Sequence, residues 1–258
     1  MTRQQTLTAA LGGVAMLAAA ALLWPQSGPA AAEARADAPT MAASGEPVLL
    51  ELFTSQGCSS CPPADRLAAQ LATDPNLVVI ARPVTYWDRL GWKDTLARED
   101  NTMLQQDYAR RGLAGRNGVY TPQLVVDGRF GAVGSRSDDI AAGVKRYGSA
   151  GDATIRAAKR EAGGYAVSLT GTGEGKGELV LVAVTRKVTV GIGSGENGGR
   201  KVGYTNVLRA ERKIADWQGG PAQVAVRADQ LRVAGADAYA LVLRAPGGGT
   251  VFAARWLT

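Results

Sequence analysis

The 258-residue chain carries two cysteines, Cys58 and Cys61, three positions apart. Residues three apart in a helix lie on one side of it, with Cα atoms about 5 Å apart. That separation is inside the range a disulfide spans, so the pair can open and close a bond with little backbone movement. Cys58 is expected at a helix N-terminus, where unpaired N–H groups and the positive end of the helix dipole favour a thiolate. Thiols of C-x-x-C sites in that position titrate at roughly 3.5 to 7, against about 8.5 for a free cysteine. Cys58 is therefore the candidate nucleophile. Cys61, one turn in and more buried, is the candidate for resolving a mixed disulfide. A structural disulfide is the alternative, although a bridge closing so short a loop removes little entropy from the unfolded chain. Zinc needs about four ligands, more than two thiols supply. Copper(I) accepts two thiolates, so a copper carrier stays open.

The elements around the pair fit a redox site. Val48 to Phe53 is an apolar run that predicts a buried strand. Pro62 and Pro63 stand where a helix begins and a missing N–H does no harm. Leu67, Leu71 and the alanines between them give that helix an apolar face through Thr73, and Asp74-Pro75 ends it. This order of strand, C-x-x-C and helix is the sequence form of a thioredoxin-like motif. Leu77 to Ala81 predicts a second strand covered on both faces. Pro83 to Asp94 predicts a loop, Thr95 to Arg111 a helix, and Pro122 to Val126 a strand. Asp127-Gly128 predicts a hairpin back through Arg129 to Val133. Asp138 to Tyr147 predicts a last helix, with Ser137 as its cap. After Gly148 the chain alternates between apolar runs and glycine turns: Tyr165 to Thr170, Glu178 to Val190, Lys201 to Asp216, Ala222 to Val226, Ala238 to Arg244 and Thr250 to Leu257. Strands at such spacing predict a β-sandwich. The expected fold is thus an α/β thioredoxin-like N-terminal domain, residues 47–150, followed by a smaller all-β, sandwich-like domain, residues 151–258.

Thr121-Pro122 opens the third strand. A thioredoxin-like fold places a cis-proline at that point beside the cysteines, where the backbone before it can pair with an extended substrate, so a cis peptide is expected here. An ordinary trans proline at a strand start is the plainer reading. Tyr86, Trp87 and Trp92 are candidates for an apolar wall at the substrate site, or for filler between sheet and helix. Asp88 and Asp94 flank that aromatic loop, as solvated charges, as partners in local salt bridges, or as acceptors for the Cys61 proton. The stretch from Gly191 to Arg200 has a superficial likeness to a phosphate cradle. A strand rather than a helix follows it, so a mobile loop between antiparallel strands is expected. Whether Glu196, Asn197 and Arg200 face the cysteines is open at this stage.

Composition narrows the classes. The chain is 46% apolar and 20% charged, enough to bury a core. It has no histidine, which removes the usual general base and zinc ligand. The sequence pI is about 9.5. Residues up to Gly151 hold 14 basic and 14 acidic side chains, and the remainder 15 basic and 9 acidic. The excess is scattered, so nucleic acid is not an expected partner. Arg3 precedes an apolar, Ala/Leu-rich run from Leu7 to Trp24, followed by Ala-x-Ala sites at Ala30 to Ala32 and at Ala32 to Ala34. This predicts a signal peptide over residues 1–32 and a linker over 33–46. An uncleaved anchor is the alternative, since about 18 apolar residues is the lower edge of spanning length. Either way export to a bacterial envelope is expected, periplasmic or secreted, where disulfides persist. No membrane span is expected after cleavage.

The stretches ELFTSQGCSSCPPAD, YWDRLGWKD, YTPQLVVDG and GENGGRKVGYTNVLR resemble the secreted, thioredoxin-like proteins of the domain of unknown function 1223 family. The resemblance covers nearly the whole chain after the leader. It implies a thioredoxin-like domain joined to a β-rich one, with the family's cysteine pair at Cys58 and Cys61 and its Thr-Pro at Thr121 and Pro122. Arg82-Pro83-Val84-Thr85 departs from the family pattern, which often has a histidine and an acidic residue before the Tyr-Trp-Asp. Ser59-Ser60 and Gly57 depart from true thioredoxins, which have Gly-Pro between the cysteines and tryptophan before them. The expected function is an exported thiol-disulfide oxidoreductase acting on a protein or small thiol/disulfide in the envelope, with no cofactor. The alternatives are a binding module with a structural disulfide, and a copper(I) carrier.

Overall fold

A computed structural model describes residues 45–115, 118–148, 153–171 and 176–258. The expected leader and the linker through residue 44 lie outside the described residues. The fold is mixed α/β, built on an eight-stranded sheet. Strand β1 (Val48–Thr54) runs into the cysteine turn and then helix α1 (Cys61–Leu71). Strand β2 (Leu77–Pro83) returns parallel to β1, paired from Val48↔Leu77 to Thr54↔Pro83. Every residue of β1 and β2 is buried, as the continuous apolar runs require. Helix α2 (Glu99–Arg110) leads to β3 (Gln123–Val126) and β4 (Phe130–Val133), an antiparallel hairpin on the other side of β1. Asp127 and Gly128 form its turn with φ of 46° and 61°, the left-handed pair that a tight hairpin demands. Helix α3 (Ser137–Tyr147) packs Ile140 and Val144 into the same core as Leu50, Leu52, Ala64 and Leu71.

Two helix starts differ from expectation. The four residues from Thr95 to Arg98 are not helical. Asp94 accepts from Leu96 N at 2.8 Å, and Arg98 N donates to Pro83 O at 3.1 Å, so this segment is tied to the β2 end instead. At α3 the cap position is Arg136, and Ser137 is the first helical residue, its hydroxyl 3.3 Å from the Asp138 carboxylate.

The later strands are β5 (Ala153–Lys159), β6 (Tyr165–Gly171), β7 (Gly177–Gly191), β8 (Lys201–Trp217), β9 (Ala222–Val226), β10 (Ala238–Arg244) and β11 (Val251–Trp256). The sequence reading has no strand at β5, where only Ala153 and Ile155 are buried. The large sheet has the order β11-β10-β7-β8-β2-β1-β3-β4, and a small sheet has the order β5-β6-β9. The sequence reading divides the chain at residue 150. In the structure β7, β8, β10 and β11 continue the sheet of β1 to β4, so the sheet does not break there. The join is one parallel pair, Ala81↔Val207. Beside it Asn206 enters the left-handed region (φ 50°) and donates its Nδ2 to Val79 O at 2.8 Å. Side chains alternate along β10. Ala240 and Val242 face Leu49, Val78 and Ile80, while Leu241 and Leu243 face Ile155, Val167 and Leu169 of the small sheet.

A buried ion cluster also spans the join. Glu51 on β1 accepts from Arg82 at 2.7 Å, from Arg244 on β10 at 2.8 Å and from the Tyr108 hydroxyl. Glu211 on β8 meets Arg82 at 2.7 Å and Arg244 at 3.7 Å. Two carboxylates thus face two guanidiniums. Burial alone would raise the Glu51 pKa, but Arg244 and Arg82 hold it down at about 2. Arg82 is a buried structural cation. Its Nη1 also donates to Asn101 at 3.3 Å.

Candidate functional site

Cys58 and Cys61 are paired as a disulfide, with Cα atoms 5.4 Å apart. Helix α1 begins at Cys61 itself, with Pro62 and Pro63 next and Ser60 as cap residue. Cys58 therefore sits in the turn before the helix, held by Cys58 N→Ser55 O at 3.2 Å and Cys61 N→Cys58 O at 3.1 Å. The Ser60 hydroxyl lies 3.3 Å from Cys58 Sγ. In the disulfide that sulfur can only accept, so the hydroxyl donates, and it would serve a thiolate equally well. Both cysteines are 0% exposed. This corrects the reading of Cys58 as the outer thiol. Ser59 and Ser60 are the exposed residues of the turn.

The turn is covered by the loop from Gly191 to Arg200, which is held rather than loose. Asn197, itself buried, donates its Nδ2 to Gln56 O at 3.0 Å and to Cys58 O at 2.8 Å. Its Oδ1 accepts from Arg200 Nη1 at 3.0 Å. The exposed Glu196 accepts from Ser59 N at 2.9 Å, and the hydrogen bonds from Ser59 hold its carboxyl below the usual range. Ser194 donates to Gly91 O at 2.6 Å, and Ile192 is buried beside Val202 and Tyr204. The sequence left these residues unplaced because no local rule connects them to a turn some 140 positions away.

The opposite side of the turn rests on a polar base. Asp94 accepts from Gln56 N and from Leu96 N, each at 2.8 Å. The Gln56 side chain accepts from Trp92 Nε1 at 2.8 Å and donates to Thr95 Oγ1 at 3.2 Å. Asp94 is buried, and burial pushes its carboxyl up. It is thus neither solvated nor salt-bridged. Asp65, one helical turn after Cys61, was not singled out by the sequence reading. It is 3% exposed and accepts from Thr54 Oγ1 at 2.8 Å, while its Oδ2 has no partner among the described residues. Burial pushes it up to about 8, and Asp94 adds to that rise. An acid of that kind is protonated at neutral pH and available for proton exchange within the core.

The candidate substrate residues divide into two groups. The Thr121–Pro122 peptide is cis, and Pro122 is buried. A Cβ built on Gly134 would touch Pro122 Cβ and Ala64 Cβ, both at 3.2 Å, so the proline and the first turn of α1 both border that glycine. Trp87 Nε1 donates to Thr121 Oγ1 at 2.8 Å. A Cβ on Gly57 would come within 3.3 Å of Trp87 Cβ. Trp87 therefore fills space next to the first cysteine from a loop outside the turn. Tyr86 and Trp87 pack together at the edge of the Phe53, Val84, Tyr108 and Val125 cluster. Trp92 belongs to the other group, under the covering loop. A Cβ on Gly193 would sit 2.8 Å from its ring, a contact only glycine avoids. The three aromatics do not form one wall.

Among the described residues no cluster of three or more His, Cys, Asp and Glu side chains could hold a metal ion. No helix among them is long and apolar enough to cross a membrane.

The site and sheet define an α/β protein with a C-x-x-C disulfide between a parallel strand and its crossover helix, beneath a glycine-rich loop. The profile of the family described as Protein of unknown function (DUF1223) matches residues 49–244, and the chain belongs to that family. It is similar to a protein of Agrobacterium tumefaciens known from a structural-genomics crystal structure, at 30% identity and a TM-score of 0.69, covering 84% of this chain and 96% of the other. It also shares a fold with HBP35 of Porphyromonas gingivalis, at 12% identity and a TM-score of 0.50, covering 83% of this chain and 75% of that one. A comparison with curated proteins gives no match.

Proposed function

We propose that the chain is an exported thiol-disulfide oxidoreductase whose 47–150 part is thioredoxin-like and whose later strands form a β-rich companion. The observation that carries this reading is the Cys58–Cys61 disulfide at the start of α1, directly after β1. A hydroxyl donor stands on Cys58 Sγ, and cis-Pro122 and the first turn of the same helix both border Gly134. In this reading Cys58 attacks and Cys61 resolves. Thr121, Pro122 and Trp87 border the substrate, while Asp65 buffers the proton that moves as the Cys61 thiol opens and closes. No organic cofactor is needed, because the electrons reside in the sulfur pair. The apolar leader from Leu7 to Trp24 supports export to a compartment where such a pair works.

A structural disulfide in a binding module is favoured by one observation, the complete burial of both cysteines. The reduction potential of the purified mature protein decides between the two. A potential above about −300 mV, with Cys58 alkylated in preference to Cys61 after reduction, supports the redox reading. A lower potential together with an unreactive Cys58 overturns it. Stoichiometric copper(I) binding to the reduced protein, lost in Cys58→Ser, would identify a carrier instead.

A further inference from the structure

Beside the disulfide a cleft of about 410 Å³ is lined by Pro62, Arg66, Arg200, Lys201, Val202 and Gly203. Pro62 directly follows Cys61, so one wall of the cleft is the first turn of the cysteine helix. Three of the six lining residues are cations and none is an acid. Among the described residues none of the three has a carboxylate within ion-pair distance. Arg66 feels Asp65 only at longer range, and Arg200 is bonded to the neutral Asn197 amide. Glu196, the acid of the covering loop, is committed to Ser59 N. Three cations converging on one small cleft repel each other until an anion joins them, and guanidinium pairs suit carboxylate and phosphate. The volume is that of a small-molecule site. Arg200 is also tied to the chemistry. It bonds Asn197, which bonds Cys58 O, so a ligand held at Arg200 is one residue removed from the backbone of the attacking cysteine.

We infer that this cleft binds the anionic group of a low-molecular-weight disulfide, or of the thiol it yields, whose sulfur is exchanged at Cys58. The inference rests on the thiol-disulfide reading above. The Cys58 thiolate attacks one sulfur of the disulfide RSSR. The Cys58–S–S–R bond forms as the RS–SR bond breaks, and one RS⁻ leaves. The Cys61 thiolate then attacks Cys58 Sγ, closing the protein disulfide and expelling the second RS⁻. The two protons of the protein thiols are taken up by the two leaving thiolates. RSSR is reduced by two electrons and the protein pair is oxidised. Starting from the oxidised pair of this structure, two RSH run the same steps in reverse.

The test is the rate at which three small thiols reduce the disulfide of the full mature chain: mercaptopropionate, mercaptoethanol and cysteamine. Each rate is corrected for its thiolate fraction. The anionic thiol should react about tenfold or more faster than the neutral one at low ionic strength, and cysteamine slowest, with the spread shrinking as salt rises. In the double variant Arg66→Glu, Lys201→Glu the order should reverse, with the Tm of each protein measured to confirm folding. Calorimetry with succinate on the oxidised protein reads the cleft without any redox step, and binding lost in the double variant is expected. Equal rates for the three thiols, with the neutral one reacting normally, would overturn the cleft while leaving the redox reading intact. Failure of every thiol to reduce the pair would overturn both. Succinate binding that survives the double variant would put the anion elsewhere and also sink the inference.

Discussion

Substituting Asn197 by alanine should expose the disulfide to reductant without unfolding the protein. Both cysteines are fully buried, so a reductant reaches them through local opening of the covering loop or through global unfolding. Asn197 makes two of the bonds that keep the loop shut, to Gln56 O at 3.0 Å and Cys58 O at 2.8 Å. A neutral hydrogen bond contributes about 0.5–1.5 kcal/mol net, and leaving a buried carbonyl unpaired makes the loss larger. In the variant the closed state therefore loses roughly 2–3 kcal/mol relative to the open one, where water satisfies both carbonyls. At about 1.4 kcal/mol per factor of ten, the open population rises about 30- to 150-fold. The rate of reduction by dithiothreitol, followed in the regime where it is linear in reductant, should rise by the same factor. Ser194→Ala removes a single exposed bond to Gly91 O and should accelerate reduction by less than tenfold. Urea unfolding of each protein supplies the global stability for comparison. The reasoning is refuted if Asn197→Ala is reduced within twofold of the parent rate. It is refuted equally if the parent rate already matches global unfolding, because the loop would then gate nothing.

Three further outcomes follow from the same contacts. Arg244→Met leaves Glu51 buried with a single guanidinium, and urea denaturation should show a loss of about 3–5 kcal/mol. Asp65→Asn should flatten the pH dependence of stability. The folded value of about 8 lies above the ordinary 3.8, so the folded chain keeps a proton that the unfolded chain releases. The Asp65 contribution therefore weakens stability as pH rises from about 4 to about 8, at up to about 1.4 kcal/mol per pH unit. The difference in unfolding free energy between variant and parent should grow across that window, and a constant difference would show that the carboxyl titrates normally. Ser60→Ala removes the hydroxyl 3.3 Å from Cys58 Sγ, and alkylation of the reduced protein near pH 7 should slow about 2- to 10-fold as the thiolate loses a donor.

Much of this site is legible in the sequence because its parts are local. A strand, a turn with two thiols and a helix opened by prolines follow one another within Val48 to Leu71, and each rests on short-range rules. Asp127-Gly128 fixes a hairpin in the same way. What was not legible is what arrives from far along the chain. Glu196 lies 137 positions from Ser59, and Arg244 lies 193 positions from Glu51. The glycines that hide the 191–200 loop from periodicity arguments are the residues that let it lie on the turn. Gly195 and Gly199 adopt φ of 75° and 78°, and Gly193 meets the Trp92 ring. Composition alone suggested slack where the structure has a fitted cover. The division at residue 150 has the same origin. A change from mixed to purely β periodicity marks a change of local structure, but it carries no information on sheet pairing. Here pairing crosses the boundary at Ala81↔Val207.

The two sides of the cysteine turn are built differently, and the difference gives the site a direction. Below it, Gln56 is held by Asp94, Trp92 and Thr95, and that base is anchored in the core through Leu96 and the end of β2. Moving it would disturb the sheet. Above it, the bonds from the loop reach Gln56 O, Cys58 O and Ser59, and none reaches a sulfur. Lifting the loop therefore leaves the disulfide, the Ser60 donor and the Pro122 contact where they are. It also frees Ser59 N and Cys58 O, the two ends of one peptide group that point in opposite directions, so a single substrate amide could replace Glu196 or Asn197 but not both. The burial of Cys58 is on this account compatible with the nucleophile role proposed for it. Under the proposed redox reading, the loop opening that gives access to the disulfide also frees a main-chain hydrogen-bonding group beside it, so access and recognition would come in one step rather than be opposed.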